Sequence, residues 1–461
     1  MKASNTFALK SRRVIIGNTV RAAIVVVKNG EISELLDFSE TPDTRIEVED
    51  IGDKVLAPGL VDTHVHINEP GRTEWEGFNT ATQSAAAGGI TTVVDMPLNC
   101  TPVTTTAEAL QQKLDSLQGK LWIDCGFWGG LVPDSIGHLE ALIQAGVLGV
   151  KSFTIHSGID DFPQVDEGHI RAAIPILAKY NVPYLIHAEL DKEGKEPPDI
   201  GKCYQSFLRS RPRSWENDAV ELIITLAREA KANGVDGKFH IVHLSSAEAI
   251  PAIRRAREQG ILLTAESCPH YLTLFAEAIA DGKTVFKCCP PIREDENRHA
   301  LWQGLADGIV EFIVSDHSPC TPQLKHIASG DLEHAWGGIS SLQFGLSIIW
   351  SEASQRGYSL PQIFDWMATR PAIFAGLGDY KGKIAPGYDA DLLIFDDSAE
   401  YVIDAEMIKY RHKITPYEGR RVSGVVERTY VRGIPVYAEG MLLGTPVGHS
   451  LLAKNQIKSV A

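Results

Sequence analysis

The chain has 461 residues, 44% hydrophobic and 22% charged, which is long enough for a large barrel plus a second core and excludes a disordered or fibrous class. Its formal net charge of -15, with no basic stripe to offset it, would repel a polyanion, so no nucleic-acid partner is expected. The seven cysteines are irregularly spaced with no C-x-x-C, which argues against a disulfide framework or a Cys-rich zinc site and fits a reducing compartment.

Residues 1–57 read as the N-terminal part of a β-sandwich. Arg13-Val14-Ile15-Ile16 and Ala23-Ile24-Val25-Val26-Val27 are β-branched runs, and Lys28-Asn29-Gly30 supplies a turn that tolerates positive φ. Met1–Lys10 lacks the apolar core of a signal peptide.

Residues 58–382 alternate. Strand-like runs recur at Gly59–His66, Thr91–Met96, Trp122–Trp128, Leu148–Phe153, Pro183–Ala188, Phe239–Leu244, Ile261–Ser267 and Glu311–Asp316. Helix-like stretches such as Trp215–Lys231 and Ala247–Gln259 separate them. This pattern gives the α/β class and a (β/α)8 TIM-type barrel, with a doubly wound open sheet as the alternative. Residues 383–461 return to short strands, at Asp391–Phe395, Val422–Val426 and Thr429–Val431. The simplest architecture pairs both chain ends into one small β-sandwich and inserts the barrel between them. No run approaches the roughly 20 apolar residues of a membrane span, and Lys458-Ser459-Val460-Ala461 matches no retention or lipidation signal. A cytoplasmic protein with no membrane partner is the expectation.

The chemistry concentrates at strand ends. In Val61-Asp62-Thr63-His64-Val65-His66, residues i and i+2 face the same side of a strand, so His64 and His66 form a candidate metal-ligand pair. Lys151, His187, His243 and Asp316 each follow an apolar run, at the carboxyl ends of strands, where barrel active sites lie. Burying the Lys151 ammonium is costly, but a carbamylated lysine would be an anionic oxygen ligand able to bridge two cations. An isolated lysine in such a place more often snorkels or pairs with an acid, and a lone histidine is more often a satisfied core residue. Spacing alone leaves His240 and His243 as alternatives.

The set His64-x-His66, Lys151, His187, His243 and Asp316 resembles the binuclear branch of the amidohydrolase superfamily, which holds dihydroorotases, hydantoinases, dihydropyrimidinases and allantoinases. Asn68-Glu69-Pro70-Gly71-Arg72, Trp75-Glu76-Gly77, Asp95-Met96-Pro97-Leu98-Asn99, Ser315–Pro319, Ala335–Ile339, Arg411-His412-Lys413 and Pro416-Tyr417 resemble the allantoinase family in particular. The resemblance implies two divalent ions, zinc first, with cobalt, manganese, nickel or iron as alternatives. His64, His66 and Asp316 would hold one ion and His187 and His243 the other. Lys151, as N6-carboxylysine, and a hydroxide would bridge them. The implied activity is hydrolysis of the hydantoin-ring amide of allantoin to allantoate, in purine and ureide degradation, with Asp316 as catalytic base and then acid.

Dihydroorotases place an Arg two residues after the second His, where this chain has Asn68. Asn68 would suit an uncharged substrate, although Arg72 lies close by in sequence. Hydantoinases and dihydropyrimidinases carry a Tyr five residues after the lysine, where this chain has His156. The resemblance further implies substrate contacts from Ser318, Asn68 and Asn99 and from backbone near Cys288 and Gly337, and a homotetramer by analogy. The competing readings are another cyclic amidase and a noncatalytic scaffold of the kind found among relatives that have lost metal ligands.

Overall fold

The computed structural model describes residues 6–192, 194 and 199–453. Residues 1–5 of the stretch read for a signal peptide, and the final Lys458–Ala461, lie outside them.

The N-terminal segment forms β1 (Thr6–Ile16), β2 (Thr19–Lys28), β3 (Glu31–Asp37), β4 (Glu47–Asp50) and β5 (Val55–Pro58). β1 pairs antiparallel with β2 and parallel with β4 and β5. The β-branched runs suit a pleated, half-buried surface, and Ile24, Val25, Val26 and Val27 are all buried.

The barrel follows without a linker. Its parallel strands are β6 (Leu60–Val65), β7 (Ile90–Asp95), β8 (Asp124–Phe127) with its short continuation β9 (Gly129–Gly130), β10 (Val150–Phe153), β11 (Pro183–His187), β12 (Lys238–Ile241), β13 (Leu262–Ser267) and β14 (Phe312–Ile313). Counting β8 and β9 as one, these are the eight strand positions the sequence pattern gives, each within a few residues. The last shrinks most, because its carboxyl end leaves the ladder to close the barrel on β6. There the His66 amide donates to the His317 carbonyl at 2.8 Å. The buried Asp62 carboxylate accepts the amides of His64 and Ser315 at 3.1 Å. Helices cover the outside. In the helix Arg213–Ala232, Ala219, Val220, Ile223, Ile224 and Ala227 form the buried stripe, which is the spacing an amphipathic helix requires.

The chain then returns as β15 (Leu392–Val402), β16 (Arg421–Val431), β17 (Ile434–Ala438) and β18 (Met441–Leu442). β5 pairs antiparallel with β15. Both chain ends therefore build one nine-stranded sheet, in the order β18-β17-β16-β15-β5-β1-β2-β3 with β4 beside β1. Phe7 stacks on Tyr430 across it at 5.9 Å between centroids.

One segment departs from the expected division. β19 (Ser450–Leu451) leaves the terminal sheet and lies parallel to barrel strand β8, with the Cys125 amide bonded to the His449 carbonyl at 2.9 Å. A two-residue strand carries little sequence signal, and its position is set by the free edge it satisfies. Barrel and sheet are also joined by buried charge. Lys381 Nζ sits 2.6 Å from Asp124, 2.8 Å from Asp389 and 2.7 Å from Asp391, and Arg432 pairs with Asp124. No helix among the described residues is long and apolar enough to cross a membrane.

Candidate functional site

His64 lies one residue before the end of β6 and His66 just after it, and both imidazoles point to the Asp316 carboxylate, from His64 Nε2 at 3.1 Å and His66 Nε2 at 3.4 Å. One ligand atom from each of the three lies within 4.8 Å of the others, and all three residues are buried. The His187 and His243 rings stand beside them, 4.6 Å apart, with His243 5.3 Å from His64.

Lys151 is buried within β10, its Nζ 4.8 Å from the Phe153 ring centre. No hydrogen bond or ion pair engages that amine among the described residues. Burial pushes Lys151 down to about 7, against the opposing pull of Glu266 and Asp316. His243 Nδ1 is buried and likewise has no partner. Imidazole and carboxylate donors converging on one point, with a buried imidazole nitrogen and amine left unsatisfied, are the chemistry of a divalent-cation site. His243 (φ 38°) and Asp316 (φ 44°) also adopt left-handed backbone. That conformation is costly for residues with a Cβ, and it concentrates at functional sites.

The polarity of each imidazole is set behind it. His64 Nδ1 meets Glu266 at 2.5 Å, and the same carboxylate takes His240 Nε2 at 3.0 Å. His187 Nε2 meets Glu189 at 2.6 Å, and Glu189 is clamped by Arg211 at 2.5 and 3.1 Å. Each acid fixes the ring and leaves its other nitrogen free to ligate. Burial opposes both carboxylates, yet Arg211 and His187 hold Glu189 down at about 2, and His64 and His240 hold Glu266 at about 2.

The comparisons with known proteins agree with this geometry. A family model described as "Amidohydrolase family" matches residues 55–436. The "Allantoinase" of Saccharomyces cerevisiae is 44% identical, over 96% of this chain and 98% of that one. The "Allantoinase" of Streptomyces avermitilis is 45% identical, over 94% and 95%. The chain belongs to the amidohydrolase family. Among solved structures, the "L-Hydantoinase (Dihydropyrimidinase)" of Arthrobacter aurescens superposes with a TM-score of 0.89 at 27% identity, over 97% of this chain and all of that one.

In this amidohydrolase the histidines open onto a cavity of about 280 Å³. Its wall includes His66, His187, His243 and Asp316 from the floor, with Asn99, Cys288, Ser318 and Gly337 among the residues expected to meet substrate. His240 stays behind the floor, hydrogen-bonded to Thr264 and Glu266, so His243 is the histidine that faces the cavity. His156 also lines the wall.

Asn68 does not line the cavity. It is buried, and its amide donates to the Pro319 carbonyl at 3.3 Å. Its backbone is left-handed (φ 67°), so the contact implied for it by resemblance is not the one its side chain makes here. Arg72 is spent on Asp161 and the Asn99 carbonyl, both at 3.2 Å. The strand-end reading passed over Glu266, Glu189 and Arg211. Glu266 carries the signal that singled out Lys151, an ionisable residue closing an apolar strand.

Proposed function

We propose that this amidohydrolase hydrolyses the hydantoin ring of allantoin to allantoate. The observation that carries the reading is near-full-length similarity, at 42–45% identity, to relatives named allantoinase, among them one from Arabidopsis thaliana. Backbone likeness to hydantoinases supports a second reading, a hydantoinase or dihydropyrimidinase, but at 27% identity.

Two divalent ions, zinc first, fit the donor set. His64, His66 and Asp316 would hold one, His187 and His243 the other, and Lys151, carbamylated on Nζ, would join them. Bound there, the ions supply a Lewis acid for the ring carbonyl and acidify water toward neutrality. The chain's own residues do the rest. Carbamylation needs a neutral amine, and burial of Lys151 supplies one near neutral pH. Burial works against the Asp316 carboxylate; in the metal-free chain the His64 charge and hydrogen bonds from His64 and His66 hold it well below the usual range, and a bound cation would take over that role. It is therefore ionised at neutral pH. Asp316 takes the proton of the attacking water and returns it to the ring nitrogen as the C–N bond breaks and the C–O bond forms. Ser318, Asn99 and backbone at Cys288 and Gly337 orient the ring. A cytoplasmic homotetramer is the proposed state, by analogy with relatives.

The test is turnover of allantoin, dihydroorotate, hydantoin and dihydrouracil, with divalent metal supplied and then chelated. Metal-dependent opening of allantoin alone is expected. Preference for dihydrouracil or hydantoin would replace the substrate assignment with the second reading.

A further inference from the structure

The loops that carry Cys288 and Gly337 form part of the cavity wall, and one buried cation ties them together. Lys325 is 3% exposed. Its Nζ donates to three carbonyls: Lys287 at 2.8 Å, Trp336 at 2.9 Å and Gly338 at 2.6 Å. No carboxylate pairs with it among the described residues. An ammonium buried without a counter-ion is costly, and this one is spent on tying together two loops remote in sequence.

A trans peptide points its C=O and N–H to opposite sides. The Lys287–Cys288 and Trp336–Gly337 bonds are trans, so with both carbonyls turned onto Nζ, the Cys288 and Gly337 amides point away from it. Both residues line the cavity, and neither amide has a hydrogen-bond partner among the described residues. The charge also lies at the carbonyl end of each peptide, where it polarises the N–H beyond.

The same loops are packed too tightly to adjust. A Cβ on Gly338 would lie 2.3 Å from the Ser318 carbonyl oxygen, and one on Gly337 would lie 3.1 Å from Cys289 Sγ. The Gly338 amide adds a bond to the Lys287 carbonyl at 2.9 Å.

We infer that Lys325 is a positioning residue for substrate binding, aiming and polarising the Cys288 and Gly337 amides toward acceptor oxygens of the ring. This rests on the cyclic-amidase reading of the site. Lys325 touches no reacting atom, and its effect lies in KM, because the amides bind ground state and transition state alike.

The experiment compares metal-loaded wild type, Lys325→Met and Lys325→Gln for metal content, kcat and KM with allantoin. Lys325→Met should raise KM about tenfold or more while kcat stays within about threefold and metal content is unchanged. Lys325→Gln restores one donor and should fall between. A folded, metal-loaded Lys325→Met with wild-type KM would overturn the inference, as would a fall in kcat that tracks metal loss. If the Met variant fails to fold, the Gln variant decides, since unchanged KM there also overturns it. Wild type that opens another ring but not allantoin refutes the substrate assignment, and KM for that ring then reads Lys325.

Discussion

The floor and the wall of the cavity are made differently. On the floor the cavity is faced by side chains from strand ends, His66, His187, His243 and Asp316, with His64 beside them and Glu189 and Glu266 fixing the rings of His187 and His64. On the wall the proposed contacts belong to backbone at Cys288 and Gly337, tied together by Lys325 and backed by Gly338, which admits no Cβ. A floor of this kind fails when a donor is lost. A wall of this kind fails when the chain path shifts, whatever side chain it carries.

Substitutions can break that contrast, beginning with the floor. Lys151→Ala should abolish metal binding and turnover together, with partial rescue by short-chain carboxylic acids. Full activity in that variant would refute the two-ion arrangement. Asp316→Asn should lower kcat by about 10²–10⁴, read as steady-state turnover in protein of measured metal content. Glu266→Gln should cost about 10–100-fold in metal affinity or activity, measured by chelator competition.

pH sharpens the same picture. Metal-free protein with added zinc at a fixed concentration of dissolved CO2 should regain activity up to about tenfold more slowly for each pH unit below 7, because the Lys151 amine, pushed down to about 7, is protonated there. A reactivation rate flat from pH 5.5 to 8 would exclude carbamylation of that amine. On the wall, Gly337→Ala must displace Cys289 Sγ by a few tenths of an ångström, and its cost should appear in KM with metal content unaltered. The smallest effect is expected at Asn68→Gly. It keeps the left-handed backbone and removes a side chain that is off the cavity, so KM should move by less than about twofold, as for changes that leave a binding surface intact.

What the sequence disclosed follows the same line. The eight strand positions were readable, and so were the six ionisable residues near strand ends, because such a residue after a buried apolar run contradicts its surroundings and so announces itself. Asn68, named as a substrate contact only through resemblance, is instead turned off the cavity by left-handed backbone at φ 67°. The Cys288 and Gly337 amides came only through resemblance, since backbone donors leave no trace in residue type. Lys325 sits in Thr321-Pro322-Gln323-Leu324-Lys325-His326, where nothing local distinguishes it from a solvated lysine. Its three carbonyl partners come from segments 11 to 38 residues away.

The seam between β5 and β15 has a consequence for biosynthesis. β5 ends at Pro58, and its partner begins at Leu392. At the usual pace of translation, roughly 15–65 s pass between the emergence of the two strands. For that interval the N-terminal strands leave the β5 edge, later covered by β15, open to strands of neighbouring polysomes. Slowing elongation through the barrel codons should therefore raise the aggregated fraction of newly made protein. An aggregated fraction indifferent to elongation rate would mean that the edge is shielded before its partner is made.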